Sequence, residues 1–348
     1  MIIELSSTAT SRDADTLAAS LTARYGRVHP VLLGANWLLV LPGAGGAAAA
    51  EVAGLPGVDR VVPTAGPFHL AERALRPAGS VVSVSGVDIG GPGFTVVAGP
   101  CAVETEEQLA RSASAVASAG AALLRGGAYK PRTSPYAFQG LGEEGLRLLA
   151  RQRERGGLGV VTEATQPAEV QLVAEYADMV QIGTRNMQNF ALLKEVGRCG
   201  RPVLLKRGMA ATVEEWLCAA EYVLSEGNPD VVLCERGIRA YGQETRFTLD
   251  LSIIPVVKKL THLPVIVDPS HSTGSPFLVA PMTVAAAAAG ADGVIVDVHA
   301  DPASARCDGA QAILPQDFER LMEELAPVVE AGGRRLTRAH RGLQPLVA

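Results

Sequence analysis

Eight times between residues 94 and 335, a short and continuously apolar run is followed by a helical pattern. The runs fall at 94–98, 122–125, 159–162, 179–182, 202–205, 231–234, 264–267 and 293–296, with helical patterns between them, for example over 106–119, 142–152 and 212–225. A strand with one wet face alternates apolar with polar residues, whereas a strand covered on both faces does not. Continuous apolar runs separated by helices therefore read as a parallel sheet buried on both sides. Eight such units over roughly 230 residues predict a closed (β/α)8 TIM barrel. A doubly wound open sheet is the alternative. It would want a glycine-rich nucleotide fingerprint after its first strand, and Gly99-Pro100-Cys101 is not one.

The first 65 residues have another rhythm: a strand over 2–5, a helix over 13–25, strands over 28–33 and 37–41, a small helix over 47–53 and a last strand over 58–63. This β-α-β-β-α-β order is the ferredoxin-like one. The segment carries no constellation of catalytic side chains, so it reads as a packing or regulatory module. Residues 66–93 form a linker and an alternating hairpin, 94–335 the barrel, and 336–348 a C-terminal tail. The fold class is thus α/β, a barrel with a small N-terminal ferredoxin-like α+β domain.

Hydrophobic residues make up 48% of the 348, enough for a sizeable core. A net charge of −5 argues against nucleic acid as a partner. No apolar run reaches the roughly 18 residues of a membrane span. Met1-Ile2-Ile3-Glu4 lacks the basic and apolar regions of a signal peptide. Five cysteines without a CxxC pair fit free thiols in a reducing cytoplasm.

In a β/α barrel the chemistry sits at the C-terminal strand ends. Those ends carry Cys101 and Glu104, then Arg125, Lys130, Arg132, Thr133 and Ser134, then Glu163, then Gln181 and Arg185. They continue with Lys206 and Arg207, then Glu235 and Arg236, then Asp268 and His271, then Asp297, His299 and Asp308. Seven cations, at 125, 130, 132, 185, 206, 207 and 236, are expected to converge on one mouth of an acidic protein. Nearby acids pair some of them but are too few for the set, so two or more phosphate or carboxylate groups are the natural guests. Cys101, His271, Asp297 and Asp308 offer one sulfur, one nitrogen and two oxygen ligands, a mixture that suits a divalent transition metal and does not favour magnesium.

Six segments carry a resemblance. They are Gly99-Pro100-Cys101-Ala102-Val103-Glu104, the run from Leu124 to Pro135, the run from Gln181 to Asn189, Leu205-Lys206-Arg207-Gly208, Cys234-Glu235-Arg236-Gly237 and Asp268-Pro269-Ser270-His271. In this order they resemble the type I beta class of 3-deoxy-D-arabino-heptulosonate 7-phosphate (DAHP) synthases, from about residue 80 to 325. The first 65 residues are similar to the ferredoxin-like regulatory domain of one subgroup.

The resemblance implies condensation of phosphoenolpyruvate with erythrose 4-phosphate, releasing phosphate, at the head of the shikimate pathway to the aromatic amino acids. It places Cys101, His271, Asp297 and Asp308 on metal-ligand positions, with manganese as the first candidate and cobalt, iron or zinc as the others. Arg185, Lys206 and Arg236 fall on phosphoenolpyruvate-binding positions, with Arg125 and Lys130 near its reacting end. Arg132, Thr133 and Ser134 fall on those that hold the aldose phosphate. Lys130 is the candidate proton donor to the new alkoxide, its pKa expected to be lowered by Arg125 and Arg132. A homotetramer and an aromatic amino acid effector are further implications. Asp297 departs from the usual Glu, and the segments 164–166 and 240–243, Phe247, Ser275 and Cys307 also differ from the common pattern. These departures keep three alternatives open: a 3-deoxy-octulosonate 8-phosphate synthase-like enzyme, a paralogue in secondary metabolism, or a non-catalytic barrel acting as a regulatory subunit.

Overall fold

A computed structural model describes residues 1–43 and 46–339. The chain opens with β1 (Ile2–Leu5), α1 (Ser11–Tyr25), β2 (His29–Leu33), β3 (Asn36–Val40), α2 (Gly46–Val52) and β4 (Val58–Val62). These strands form one antiparallel sheet in the order β2-β3-β1-β4. Period-two alternation splits its side chains between two cores. Ile3, Leu39 and Leu41 pack with Ala14, Ala18 and Leu21 of α1, while Ile2, Leu38 and Val40 join the larger core shared with the barrel. Thr10 starts α1 with a capping box closed by Asp13.

A hairpin follows, β5 (Val82–Val84) and β6 (Val87–Ile89). The barrel strands are β7 (Gly93–Gly99), β8 (Leu123–Arg125), β9 (Gly159–Glu163), β10 (Met179–Ile182), β11 (Val203–Lys206), β12 (Val231–Glu235), β13 (Val265–Val267) and β14 (Gly293–Asp297). Between and after them lie α3 (Glu106–Ser118), α4 (Glu143–Gly156), α5 (Val170–Tyr176), α6 (Phe190–Arg198), α7 (Val213–Leu224), α8 (Ile253–Leu260), α9 (Pro269–Thr273), α10 (Pro276–Ala288) and α11 (Pro315–Ala331). A final β15 (Arg335–Leu336) pairs with β7. Each barrel strand pairs in parallel with the next, and β14 pairs with β7, so the sheet closes. At that seam a Cβ on Gly293 would stand 2.1 Å from the Thr95 carbonyl oxygen, so only glycine lets the strands meet.

All eight expected runs are strands, with ends shifted by a residue or two. The hairpin is more than a connector. Its Val82, Val84, Val87 and Ile89 share one buried cluster with Val97, Leu123, Val161, Met179, Leu204, Val232, Cys234, Ile266 and Ile295. These are the inward residues of the eight strands, so the hairpin plugs the barrel floor. The linker is fixed by Glu221 of α7, whose carboxylate accepts the backbone N–H groups of His69, Leu70 and Ala71 at 2.7–2.9 Å. Of the expected tail, residues 340–348 lie outside the described residues. Among the described residues no helix is long and apolar enough to cross a membrane.

Candidate active site

Side chains two residues apart on a strand share a face. One step beyond the inward layer, the same parity delivers Arg125, Glu163, Gln181, Lys206, Arg236, Asp268 and Asp297 to the upper mouth, with Cys101 two residues past β7. Six of the seven expected cations, Arg125, Lys130, Arg132, Arg185, Lys206 and Arg236, line a cavity of about 270 Å³ there with Thr133, Ser134, His271 and Asp308.

Arg207 is the exception. It has the opposite parity to Lys206 and forms buried ion pairs with Glu235 at 2.9 Å and Asp250 at 3.6 Å. Trp216 covers its guanidinium at 6.0 Å. Its expected place in the mouth is therefore corrected to a structural pair behind the barrel wall. Two other cations are also paired: Arg125 with Asp297, and Lys206 with Asp268 at 2.5 Å. Arg236 is not. It lies 4.3 Å over the Phe247 ring with a buried Nη1 that has no partner among the described residues. Among the described residues Arg185 reaches only Thr133 Oγ1, at 3.5 Å. The buried Arg236 donor without an acceptor is a ready place for an anionic oxygen, and Arg185 adds an exposed charge beside it.

Cys101 Sγ, His271 Nε2 and Asp308 Oδ2 meet in the same mouth. Sulfur and imidazole nitrogen are 3.5 Å apart, sulfur and carboxylate 3.2 Å, imidazole and carboxylate 3.7 Å. Among the described residues this is the one group of three or more His, Cys, Asp or Glu donors within 4.8 Å of one another. Donors at about 2.0–2.3 Å from one ion stand roughly 3.3–3.8 Å apart, so these three fit a divalent metal. Asp268 caps α9 by accepting the His271 N–H at 2.8 Å and lies 2.9 Å from Nδ1, which turns Nε2 toward the other donors. Asp308 has φ 53°, a left-handed conformation that Asp tolerates better than most residues. Glu104 steadies its loop by accepting the Arg306 N–H at 2.8 Å.

Asp297, expected as a fourth ligand, stands elsewhere. It pairs with Arg125, accepts from Gln311 Nε2 at 2.7 Å, and approaches His271 on the Nδ1 side at 3.5 Å. Arg246 was missed by the sequence reading. Its guanidinium donates to Asp308 Oδ1 at 3.1 Å and Gln311 Oε1 at 2.9 Å and lines the cavity. The only signal was one more arginine in a segment expected to flank the mouth.

Burial opposes charge on His271, yet the Asp268 and Asp297 carboxylates outweigh it and push the imidazole up to about 9. The Cys307 contact and burial push the Cys101 thiol well up. Asp308 is held well below the usual carboxylate range; burial opposes this, but His271 and the Cys101 hydrogen bond prevail. The metal-free cluster thus holds protons on nitrogen and sulfur that an entering ion must displace. At about pH 7.5, binding of zinc or manganese is expected to release about two protons or more per ion, and affinity to fall as pH is lowered. Calorimetry in buffers of different ionisation enthalpy measures this. Release of less than one proton would contradict it.

The expectation for Lys130 is reversed. Burial lowers it most and Arg125 adds to that, but Cys101 and Cys307, when ionised, and Glu163 raise it above its ordinary value. Its Nζ donates to the Cys101 carbonyl oxygen and Sγ, both at 3.2 Å. Lys130 rests charged, most firmly so when the sulfur beside it is ionised.

A closed parallel barrel with unpaired cations around a sulfur, nitrogen and oxygen triad defines a β/α-barrel enzyme site for small anionic substrates. The model of the DAHP synthetase I family matches residues 79–331, and the chain belongs to that family. A phospho-2-dehydro-3-deoxyheptonate aldolase of Thermotoga maritima is 48% identical over 276 residues, 79% of this chain and 82% of that protein. The crystal structure of the T. maritima phospho-2-dehydro-3-deoxyheptonate aldolase (DAHP synthase) matches with TM-score 0.77 and 41% identity, covering 96% of this chain and 98% of that one. A 2-dehydro-3-deoxyphosphooctonate aldolase of Citrifermentans bemidjiense is 31% identical over 266 residues, 71% of this chain and 96% of that protein. The chain is an enzyme of the DAHP synthase family, and the activity expected from its sequence is that family's.

Proposed function

We propose that Arg185, Lys206 and Arg236 hold phosphoenolpyruvate in this mouth and that Arg132, Thr133 and Ser134 hold the phosphate of erythrose 4-phosphate. The observation that carries this reading is the buried, partnerless Nη1 of Arg236 in a cavity shared with Arg185, Lys206 and the Cys101–His271–Asp308 triad. Arg125 and Lys130 flank the reacting end. Fixing two anions side by side turns a bimolecular encounter into a local one. Enol C3 bonds to the aldehyde carbon, water adds at C2, and the C2–O bond to phosphate breaks. Lys130 stabilises the alkoxide and supplies its proton, returning to its charged form from solvent. Cys101, His271 and Asp308 would hold a divalent metal, manganese first with cobalt, iron or zinc as the other candidates, which would supply Lewis acidity to the site.

Residues 1–65 are proposed as a ferredoxin-like domain binding an aromatic amino acid effector, 66–93 as its connector and floor plug, and 94–335 as the catalytic barrel of a cytoplasmic homotetramer. The sheet order β2-β3-β1-β4, with α1 and α2 in one core, supports the domain reading.

Incubation with phosphoenolpyruvate and each aldose phosphate in turn tests the function. Phosphate release with erythrose 4-phosphate, abolished by a chelator and restored by manganese, is expected. Release with arabinose 5-phosphate alone would give the chain the octulosonate reaction instead, and no turnover with any metal would make it a non-catalytic barrel.

A further inference from the structure

Beside the metal triad lies a second buried sulfur that neither the family match nor the expected ligand set uses. Cys307, 4% exposed, precedes Asp308 on the same loop. Its Sγ is 3.7 Å from Cys101 Sγ and 3.4 Å from Asp308 Oδ2. Two thiolates each about 2.3 Å from one tetrahedral ion stand about 3.8 Å apart, so the two sulfurs already have the spacing of ligands on a shared metal. The oxygen expected to complete the site is engaged elsewhere. One oxygen of Asp297 pairs with Arg125 and the other accepts from Gln311, on the far side of the imidazole from Nε2. Drawing Asp297 to the ion would strand a buried guanidinium. Cys307 needs no such break: among the described residues its Sγ hydrogen-bonds only to the two donors it would join, and, lying outside the 4.8 Å group, it has to swing toward Nε2 to complete the site.

We propose that Cys307 is a second thiolate ligand, giving a two-cysteine, one-histidine, one-aspartate metal site in which Asp297 serves only to position Arg125 and His271. The proposal rests on the metal-site reading of Cys101, His271 and Asp308. When the ion binds, the Cys307 S–H bond breaks, its proton goes to solvent and the sulfur lone pair forms the bond to the metal; no oxidation state changes. Two soft ligands shift the preference of the site toward zinc and away from manganese.

Cobalt(II) titration of the full chain under a phosphine reductant tests this, because each bound thiolate contributes to the near-ultraviolet sulfur-to-cobalt charge-transfer band. The band is expected to fall by about half in Cys307→Ser and Cys307→Ala, by about half in Cys101→Ser, and to vanish in the Cys101/Cys307 double variant. A Cys199→Ser, Cys218→Ser double variant, which alters thiols outside the site, should keep it whole. Competition between the metals should show zinc-over-manganese preference falling about 10- to 100-fold or more in Cys307→Ser, since even a supporting partner is worth that much. If both Cys307 variants keep full intensity while Cys101→Ser loses all of it, the site has one thiolate and the inference is overturned, with the metal site intact. If the unaltered protein shows no band, the metal-site reading fails, and the inference with it.

Discussion

Cys101→Ser is expected to fold normally and to lose turnover by about 10³-fold or more, since loss of a direct ligand should exceed the 10- to 100-fold that a supporting partner is worth. The two halves of this expectation come from different atoms of one residue. The backbone of Cys101 is held independently of its sulfur: its carbonyl oxygen accepts from Gly127 N–H at 3.1 Å, Arg125 Nη2 at 3.3 Å and Lys130 Nζ at 3.2 Å. Serine keeps all three bonds and nearly the same volume. What disappears is the soft donor facing His271 Nε2 and Asp308 Oδ2, along with the charge that, once the sulfur is ionised, helps hold Lys130 protonated. The variant should therefore melt within a few degrees of the parent, lose metal on dialysis and release little phosphate. Full turnover would show that the thiolate is not a ligand.

The sequence revealed the scaffold and most of the site for one physical reason. Strands buried on both faces must be apolar until they reach the mouth, so the first charged residue after each run is a residue at the mouth. Arg125, Glu163, Lys206, Asp268 and Asp297 follow this rule; after 231–234 the first charge, Glu235, turns behind the wall and the next, Arg236, reaches the mouth, as does the uncharged Cys101 past β7. Strand parity, applied to the same runs, would also have separated Lys206 from Arg207 and Arg236 from Glu235, since adjacent residues on a strand point to opposite faces. The pairing of Arg207 with Glu235 across neighbouring strands was in that sense legible and unread. The fate of Asp297 was not. Its oxygens are taken by Arg125 and by Gln311, a residue held on a loop beyond β14, and no periodicity reports where a loop residue points. Arg246 and Cys307 escaped for the same reason, as did the hairpin over 82–89, whose alternation announced strands but not that their apolar face closes the barrel floor.

Asp268→Asn is expected to weaken folding by about 3–5 kcal/mol, the cost of leaving a buried charge without its partner. Its carboxylate serves three groups at once: Lys206 Nζ at 2.5 Å, the His271 backbone N–H at 2.8 Å and His271 Nδ1 at 2.9 Å. Asp268 and Lys206 are buried and His271 nearly so, so solvent replaces little of what is lost. An asparagine amide can still accept from one donor, but it leaves the Lys206 ammonium uncompensated and removes the charge that helps hold the His271 ring. The metal-binding consequence should appear separately, as a 10- to 100-fold weaker affinity from loss of a supporting carboxylate. The pH dependence gives a further check. Burial opposes ionisation of Asp268, and His271 and Lys206 overcome it, so its folded pKa lies well below that of the unfolded chain. A depressed carboxylate stabilises the fold fully above its unfolded value of about 4, and that contribution is lost as pH falls toward the folded value. Urea midpoints of the parent and of Asp268→Asn should therefore differ most near neutrality and converge on acidification below about pH 4. A gap that stays constant across that range would mean that the stability of this mouth comes from packing and not from the charge at its centre.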